Sequence, residues 1–312
     1  DVLTIEIESV NVEALEKLEA EGVKVIPKPS ALRIIRNKIN QKAFYYQNEI
    51  PTPEYKVVEN RKALEKELDW LPAVNKLGEG GYDGKGVQVL QTENDLSLGF
   101  DAPGILEKMV DIHQEIAVMV AINSKGEHVV YPPVEMVFNQ QLNLLDYQIC
   151  PARINDNNKW KIEAIAIKLV KALNSPGLFA IELFIDKKGN IFVNETAPRV
   201  HNSGHHTIEA HICSQYDMLW RILLNYPLGS GEKVLSSALI NLIGEAGHSG
   251  PAHYNGIEDL LRMDQVYVHI YGKKETRPGR KMGHITLTGN DAMELMHRAQ
   301  KVKGMIKVES AG

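Results

Sequence analysis

Two carboxylates facing each other across a hairpin are the strongest chemical signal in this chain. Residues 180–195 read Ala-Ile-Glu-Leu-Phe-Ile-Asp-Lys-Lys-Gly-Asn-Ile-Phe-Val-Asn-Glu, two apolar strands around a Lys188-Gly189 turn. A two-residue turn there sets Glu182 directly opposite Glu195. Cross-strand partners have Cβ atoms about 4.5–5.5 Å apart. Like charges that close among apolar neighbours repel strongly unless a cation bridges them or one is protonated. With Asn194 they make an all-oxygen donor set suited to Mg²⁺ bound together with nucleotide phosphates. The alternative is a solvated face with lysine partners, and a longer turn would shift the register.

A second signal is the stretch Lys76-Leu77-Gly78-Glu79-Gly80-Gly81-Tyr82-Asp83-Gly84-Lys85-Gly86, with five glycines in the nine positions 78–86. Glycines let a backbone approach a phosphate chain and point N–H groups at it. No Gly-Lys-Ser/Thr follows and a strand comes next, so this is not a Walker A loop. A flexible hairpin tip is the bland reading; Lys76 at the end of the incoming strand favours phosphate.

After the hairpin comes Thr196-Ala197-Pro198-Arg199-Val200-His201-Asn202-Ser203-Gly204-His205-His206, dense enough in polar groups for an anion pocket. Arg199 offers a planar fork for a carboxylate or bicarbonate. The three histidines could instead suggest zinc, but neither a cysteine nor an HExxH spacing accompanies them. Near the end, residues 273–281 hold five cations in nine positions, which suits either a phosphate-bearing small ligand or a solvated basic turn. Lys38, Tyr82, Asp83, Glu107 and Glu115 take no role from their residue types alone.

The elements that must position these groups are those of a mixed α/β chain. Residues 2–7 read as a strand, Asn11 caps a helix that runs to about Ala20, and Gly22 ends it. A strand follows at 23–26, then helical pieces over 30–49 and 60–68. Strands at 73–76 and 87–90 flank the glycine loop, and others are expected at 105–108, 115–122, 128–131, 178–185 and 191–195. A helix over 162–173 precedes the hairpin. The tail runs strand 238–243, helix 256–262, strands 266–271 and 284–288, and helix 290–301. With 312 residues, 44% hydrophobic and 24% charged, the chain has ordinary globular composition and room for about two domains. A net charge of −5 supplies no basic field for nucleic acid or an anionic membrane. No apolar run approaches the ~18 residues of a spanning helix. Two cysteines, Cys150 and Cys213, point to a reducing compartment, and the expected location is cytoplasmic.

The segments GGYDGKG, IELF…VNETAPRVHNSGHHT and YGKKETRPGRKMGHITL closely resemble the N5-carboxyaminoimidazole ribonucleotide synthases (the PurK family), ATP-grasp enzymes of purine biosynthesis. The likeness extends over essentially the whole chain. It implies an α/β (α+β) ATP-grasp fold with a truncated N-terminal Rossmann-like domain and a small C-terminal subdomain. The implied divisions are 1–35, a remnant of the N-terminal pre-ATP-grasp domain; 36–108, the small lid subdomain with the glycine loop; 109–250, the large subdomain with the metal hairpin; and 251–312, a C-terminal subdomain with ribonucleotide phosphate contacts. The activity implied is ATP-dependent phosphorylation of bicarbonate to carboxyphosphate, followed by carboxylation of the amine of 5-aminoimidazole ribonucleotide.

Carried over by motif, Lys38, Lys76, Gly80, Gly81, Glu107 and Glu115 would bind ATP, with Glu107 at the adenine hinge and Glu115 on the ribose. Glu182, Glu195 and Asn194 would hold Mg²⁺. Arg199 and His201 would form the bicarbonate site, and Asp83 or His201 would be the general base. Tyr82, Asp83, Lys85, Asn202, Lys273 and Arg280 would contact the ribonucleotide. The resemblance also implies a homodimer with no nucleic-acid or membrane partner. The chain departs from the family at Leu77-Gly78-Glu79, where members often carry basic residues, which implies a weaker ATP contact there. Rival readings are another ATP-grasp carboxylase, such as a biotin carboxylase or a formate-dependent purine transformylase, and a non-catalytic nucleotide-binding protein.

Overall fold

The computed structural model describes residues 1–81, 86–139 and 144–311. The chain forms two compact units that interleave along the sequence. One comprises 1–130, 155–200 and 219–228; the other comprises 131–154, 201–218 and 229–312.

In the first unit Asn11 caps the helix Val12–Ala20 by accepting from the Ala14 amide, and Gly22 beyond its end takes a φ of +92°. The strand expected over 2–7 shrinks to Val2–Leu3, because its parallel partner Lys24–Val25 offers only a two-residue ladder. The helical stretch of 30–49 is two helices, Pro29–Ile35 and Lys38–Gln47, the second capped by Asn37. A four-stranded antiparallel sheet follows, in the order Tyr55–Val58, Gly104–Lys108, Ala73–Leu77, Val87–Leu90. Its apolar face covers Val58, Leu64, Ala73, Leu90 and Leu106. The same unit pairs Ile191–Ala197, Gly177–Asp186, Ile112–Ile122 and His128–Val130 in antiparallel order. Residues 116–121 and 177–181 are buried without alternation, as expected of strands covered on both faces. The helix Asp156–Ala172 packs on this sheet through Ile162, Ala166, Leu169 and Val170.

The second unit is built on an antiparallel run of Val134–Asn139, Leu144–Cys150, Ser236–Ile243, Lys281–Gly289 and Val266–Ile270. The helix Ala292–Met305 closes its core through Leu295, Ala299 and Val302. Gly250–Asn255 pairs with Lys307–Ser310 and Glu275–Thr276 in a small separate sheet. The mixed α/β character expected from sequence holds, but several elements were not anticipated. Leu144–Cys150 alternates Leu145, Tyr147, Ile149 in a pattern legible only afterwards, and the helix Gln215–Leu223 buries Met218 and Ile222 one turn apart. No helix among the described residues is long and apolar enough to cross a membrane.

Candidate functional site

The hairpin pairs Glu182 with Glu195, as the sequence predicts, but by a different path. Its loop is three residues, Lys187-Lys188-Gly189, not a two-residue turn. The Asp186 carboxylate accepts from the Lys188 and Asn190 amides, and Gly189 takes a φ of +83°. The outer ladder therefore pairs Ile185 with Ile191 and Leu183 with Val193, one residue off the expected register. A bulge at Asn194 restores it, so that Glu195 meets Glu182. Successive residues of a strand normally point to opposite faces. The bulge lets Asn194 and Glu195 both turn toward lysines: Asn194 Oδ1 accepts from Lys76 Nζ at 2.8 Å, and Lys38 Nζ pairs with the Glu195 carboxylate.

Those lysines come from different elements. Lys38 is the first residue of the helix Lys38–Gln47, whose start is tied to the glycine loop: its amide donates to Gly78 O at 2.7 Å, and Asn37 Nδ2 donates to Glu79 Oε1 at 3.1 Å. Glu79 thus fastens the loop to the helix, which gives a local reason for an acid at this position. Lys76 lies on Ala73–Leu77. Glu107, opposite Val74 on the neighbouring strand, is its diagonal neighbour, with Lys76 Nζ 2.6 Å from Glu107 Oε2.

Lys42 completes the cluster. It is one turn beyond Lys38 on the same helix face, fully buried, 2.5 Å from Glu107 Oε1 and bonded to Thr52 Oγ1. The sequence reading missed it; the i, i+4 lysine pair beside the apolar Phe44 and Tyr45 was the available signal.

Three lysines therefore meet Glu107, Glu182 and Glu195. Burial opposes the charge on Lys38, but Glu195, Glu182 and Glu107 outweigh it and hold its pKa above the ordinary value. Burial wins at Lys42, helped by repulsion from Lys76 and Lys38, and lowers its pKa to about 8 despite Glu107. Burial likewise works against ionised Glu107, yet Lys76 and Lys42 keep its pKa below the usual carboxylate range. Glu115, on Ile112–Ile122, is pushed up to about 7 by burial, against a modest pull from Lys76.

The root of the glycine loop requires glycine for packing as well as for any ligand. A Cβ on Gly81 would lie 2.8 Å from the Gly86 Cα, and one on Gly86 would lie 2.5 Å from the Gly81 Cα. Gly80 has a φ of +83°. A cavity of about 100 Å³ sits between this root and Glu195, lined by Arg36, Lys38, Gly78 and Gly80 among others. Glu195 remains 42% exposed, so its carboxylate is accessible from outside. A larger cavity of about 430 Å³ lies against Trp160, Ile165 and Phe192, with Lys161 as its only titratable lining residue; the chemistry belongs to the smaller one. Arg199, in the same unit, pairs its Nε with Glu8 Oε1 at 2.9 Å and donates from Nη1 to Val200 O. Glu8 was not singled out from sequence. Tyr82, Asp83 and Lys85 lie outside the described residues.

In the second unit His201 caps the short turn Asn202–Gly204, its Nδ1 accepting from the Ser203 amide at 3.3 Å with the Ser203 hydroxyl 2.9 Å away. Gln215 Oε1 accepts from the His201 amide at 2.8 Å, and Gln215 Nε2 donates to His201 O at 3.0 Å. Lys273 Nζ donates to Lys281 O at 2.7 Å and Arg280 Nη1 to Glu275 O at 2.7 Å, so these two cations of the basic run brace their own loop.

The ATP-grasp domain family matches residues 43–216, and the phosphoribosylaminoimidazole carboxylase C-terminal domain family matches residues 237–298. The chain is similar to the N5-carboxyaminoimidazole ribonucleotide synthase of Synechococcus elongatus, with 36% identity over 98% of this chain and 78% of that protein. It spans 53% and 58% of two longer relatives. Among solved structures it resembles the N5-carboxyaminoimidazole ribonucleotide synthetase of Thermotoga maritima, at 42% identity and a TM-score of 0.92, covering 100% of this chain and 82% of that one. It also resembles the synthase of Aspergillus clavatus in complex with ADP and 5-aminoimidazole ribonucleotide, at 32% identity and a TM-score of 0.87, covering 97% and 81%.

Proposed function

We propose, from the premise that this chain belongs to the N5-carboxyaminoimidazole ribonucleotide synthase family of ATP-grasp enzymes, that it is an ATP-dependent ligase. Its reaction is carboxylation of 5-aminoimidazole ribonucleotide with bicarbonate, in purine biosynthesis. The observation that carries this reading is the cluster in which Lys38 and Lys76 meet the Glu182–Glu195 pair beside the glycine-loop cavity.

Phosphoryl transfer depends on positioning and charge neutralisation more than on covalent help. Lys38 and Lys76 neutralise the phosphates of ATP, exchanging their present bonds to Glu195 and Asn194 for phosphate oxygens. The donor set of Glu182, Glu195 and Asn194 is all oxygen, as Mg²⁺ requires, and these three residues would hold it. Bound there, Mg²⁺ supplies neutralisation of the charge on the ATP phosphates. Gly80 and Gly81 offer backbone N–H groups. Glu107 acts through Lys76, which it holds in place, and Glu115 accepts from the ribose hydroxyls.

The γ-phosphoryl passes to a bicarbonate oxygen, giving carboxyphosphate and ADP. The amine of the ribonucleotide then takes the carboxyl group, phosphate leaves, and the amine proton goes to a base. Arg199 binds bicarbonate through its planar fork. His201 accepts at Nδ1 from the Ser203 amide, which leaves Nε2 to donate to a carboxyphosphate oxygen. That leaves Asp83 as the base. Tyr82, Lys85, Asn202, Lys273 and Arg280 contact the ribonucleotide.

Residues 36–108, 109–250 and 251–312 act as lid, metal-bearing and phosphate-binding regions, with 1–35 belonging to the N-terminal domain. The enzyme works in the cytoplasm as a homodimer.

The test is ADP release from the purified protein with Mg-ATP and bicarbonate, with and without 5-aminoimidazole ribonucleotide. Strong stimulation by the ribonucleotide supports the reading. Turnover indifferent to it would point to a different ATP-grasp ligase.

A further inference from the structure

The second unit holds a group of side chains that the proposed reaction leaves unused. Cys150 ends the strand Leu144–Cys150, while His206 and His211 flank the single turn Thr207–Ala210. That turn brings both imidazoles to one thiol. The sulfur and one ring nitrogen of each histidine all lie within 4.8 Å of one another, with Cys150 Sγ 4.0 Å from His211 Nε2. The imidazole rings meet edge to face at 5.0 Å between centroids, and Tyr131 packs on His211 at 5.7 Å.

Cys150, His206 and His211 are 1%, 2% and 7% exposed. Even so, neither ring nitrogen of His206 makes a well-formed hydrogen bond, and His211 Nδ1 has no partner. Buried polar groups are almost always satisfied, because an unmade bond costs the full desolvation of the group. An imidazole left this way, beside a second imidazole and a thiol, has the environment of a ligand.

Protonation states agree. Burial drives the His206 pKa well below its ordinary value, with the Ser203 backbone easing this slightly, and lowers His211 to about 4. Both rings are therefore neutral near pH 7, with a lone pair to give. Burial raises the Cys150 thiol to about 12, but Lys233 favours its thiolate, and a bound metal displaces the thiol proton into solvent.

We propose that Cys150, His206 and His211 form a Zn²⁺ site with three protein ligands. One thiolate and two imidazoles suit this borderline-soft ion. Tetrahedral coordination with Zn–S near 2.3 Å and Zn–N near 2.0–2.1 Å puts sulfur and nitrogen about 3.6 Å apart, so the 4.0 Å pair is near that spacing and the set, now within 4.8 Å, closes inward by up to about an ångström on binding. The hard all-oxygen set of Glu182, Glu195 and Asn194 selects a different ion. The site does not rest on the proposed reaction. Burial implies that zinc enters as the chain folds. Sequence could not show it, because the cysteine stands 61 residues before His211.

The test is zinc content of the full chain expressed in zinc-supplemented medium, together with the absorption spectrum of the chain refolded with Co²⁺. About one zinc per chain is expected, with a thiolate-to-cobalt charge-transfer band and the visible bands of a tetrahedral ion. Cys150→Ser and His206→Phe should each abolish the charge-transfer band, whereas Cys213→Ser should keep it. Metal bound without that band, no metal at all, or a band that survives Cys150→Ser would overturn the site. The wild-type measurements decide even if a variant fails to fold.

Discussion

The lysine–glutamate cluster of the first unit and the histidine stack of the second bury ionisable side chains by opposite means. In the first, Lys38, Lys42 and Lys76 keep company with Glu107, Glu182 and Glu195, and burial is answered by opposite charge. In the second, histidines pile on one another: His269 stacks on His284 at 4.4 Å, and His284 on His205 at 4.8 Å. There burial, with His205 and His269 adding repulsion, lowers His284 to about 3 and leaves the ring neutral, hydrogen-bonded to Tyr271 at 2.9 Å. The lysines proposed to meet phosphate have to stay charged, so they need compensation nearby. Imidazoles can enter the interior by giving up their proton. Removing one partner should therefore be costly in the lysine–glutamate cluster and mild in the histidine stack.

The largest effect expected is from Glu107→Gln, which leaves Lys42 buried without its counter-charge and should cost about 3–5 kcal/mol in urea unfolding. The double variant Glu107→Leu with Lys42→Met should recover part of that, because Lys76 also loses Glu107 and keeps its bond to Asn194. If the single variant loses under 1 kcal/mol, the cluster is not held by compensation. Next comes Glu182→Gln, which should lower ADP release about 10²–10³-fold while leaving the melting temperature near that of the parent. Full activity in this variant would remove the metal assignment.

Glu115 is the first unit's weakly compensated carboxylate, and it should show this in pH dependence. Its pKa is about 7 when folded against an ordinary 4.5. Between those values the folded chain holds the additional proton, so this residue's contribution to stability falls as pH rises from 4.5 to 7. Over a similar range it becomes a better acceptor for a ribose hydroxyl. ATP affinity should rise about tenfold from pH 6 to pH 8, and Glu115→Gln should flatten the profile. The smallest effect belongs to the second unit. In metal-stripped protein His206→Phe should change stability by less than about 1 kcal/mol, since a ring without a well-formed hydrogen bond gives way to an apolar one. A loss as large as that of Glu107→Gln would erase the contrast between the units.

Local rules made much of the molecule legible. The Asn11 cap, the glycine after its helix, the helix pair within 30–49 and the strands around the glycine loop follow from capping, turn chemistry and periodicity, which act over a few residues. The Glu182–Glu195 pairing is more instructive. It was reached through a two-residue turn that does not exist, and the bulge at Asn194 cancels the resulting slip. Turn length responds to one carboxylate, that of Asp186, and the bulge to the lysines it must face; neither leaves an alternation to read.

What the sequence determined by itself is the family, the α/β class and the identity of most charged groups in the lysine–glutamate cluster, because motif and periodicity are carried by adjacent residues. What only the tertiary structure decided is who compensates whom. Lys42 under Glu107, Glu8 on Arg199, and Cys150 beside His206 and His211 each join segments far apart in the chain. Such pairings arise from the packing of whole elements, and the electrostatic cost of burial exists only once that packing has excluded water.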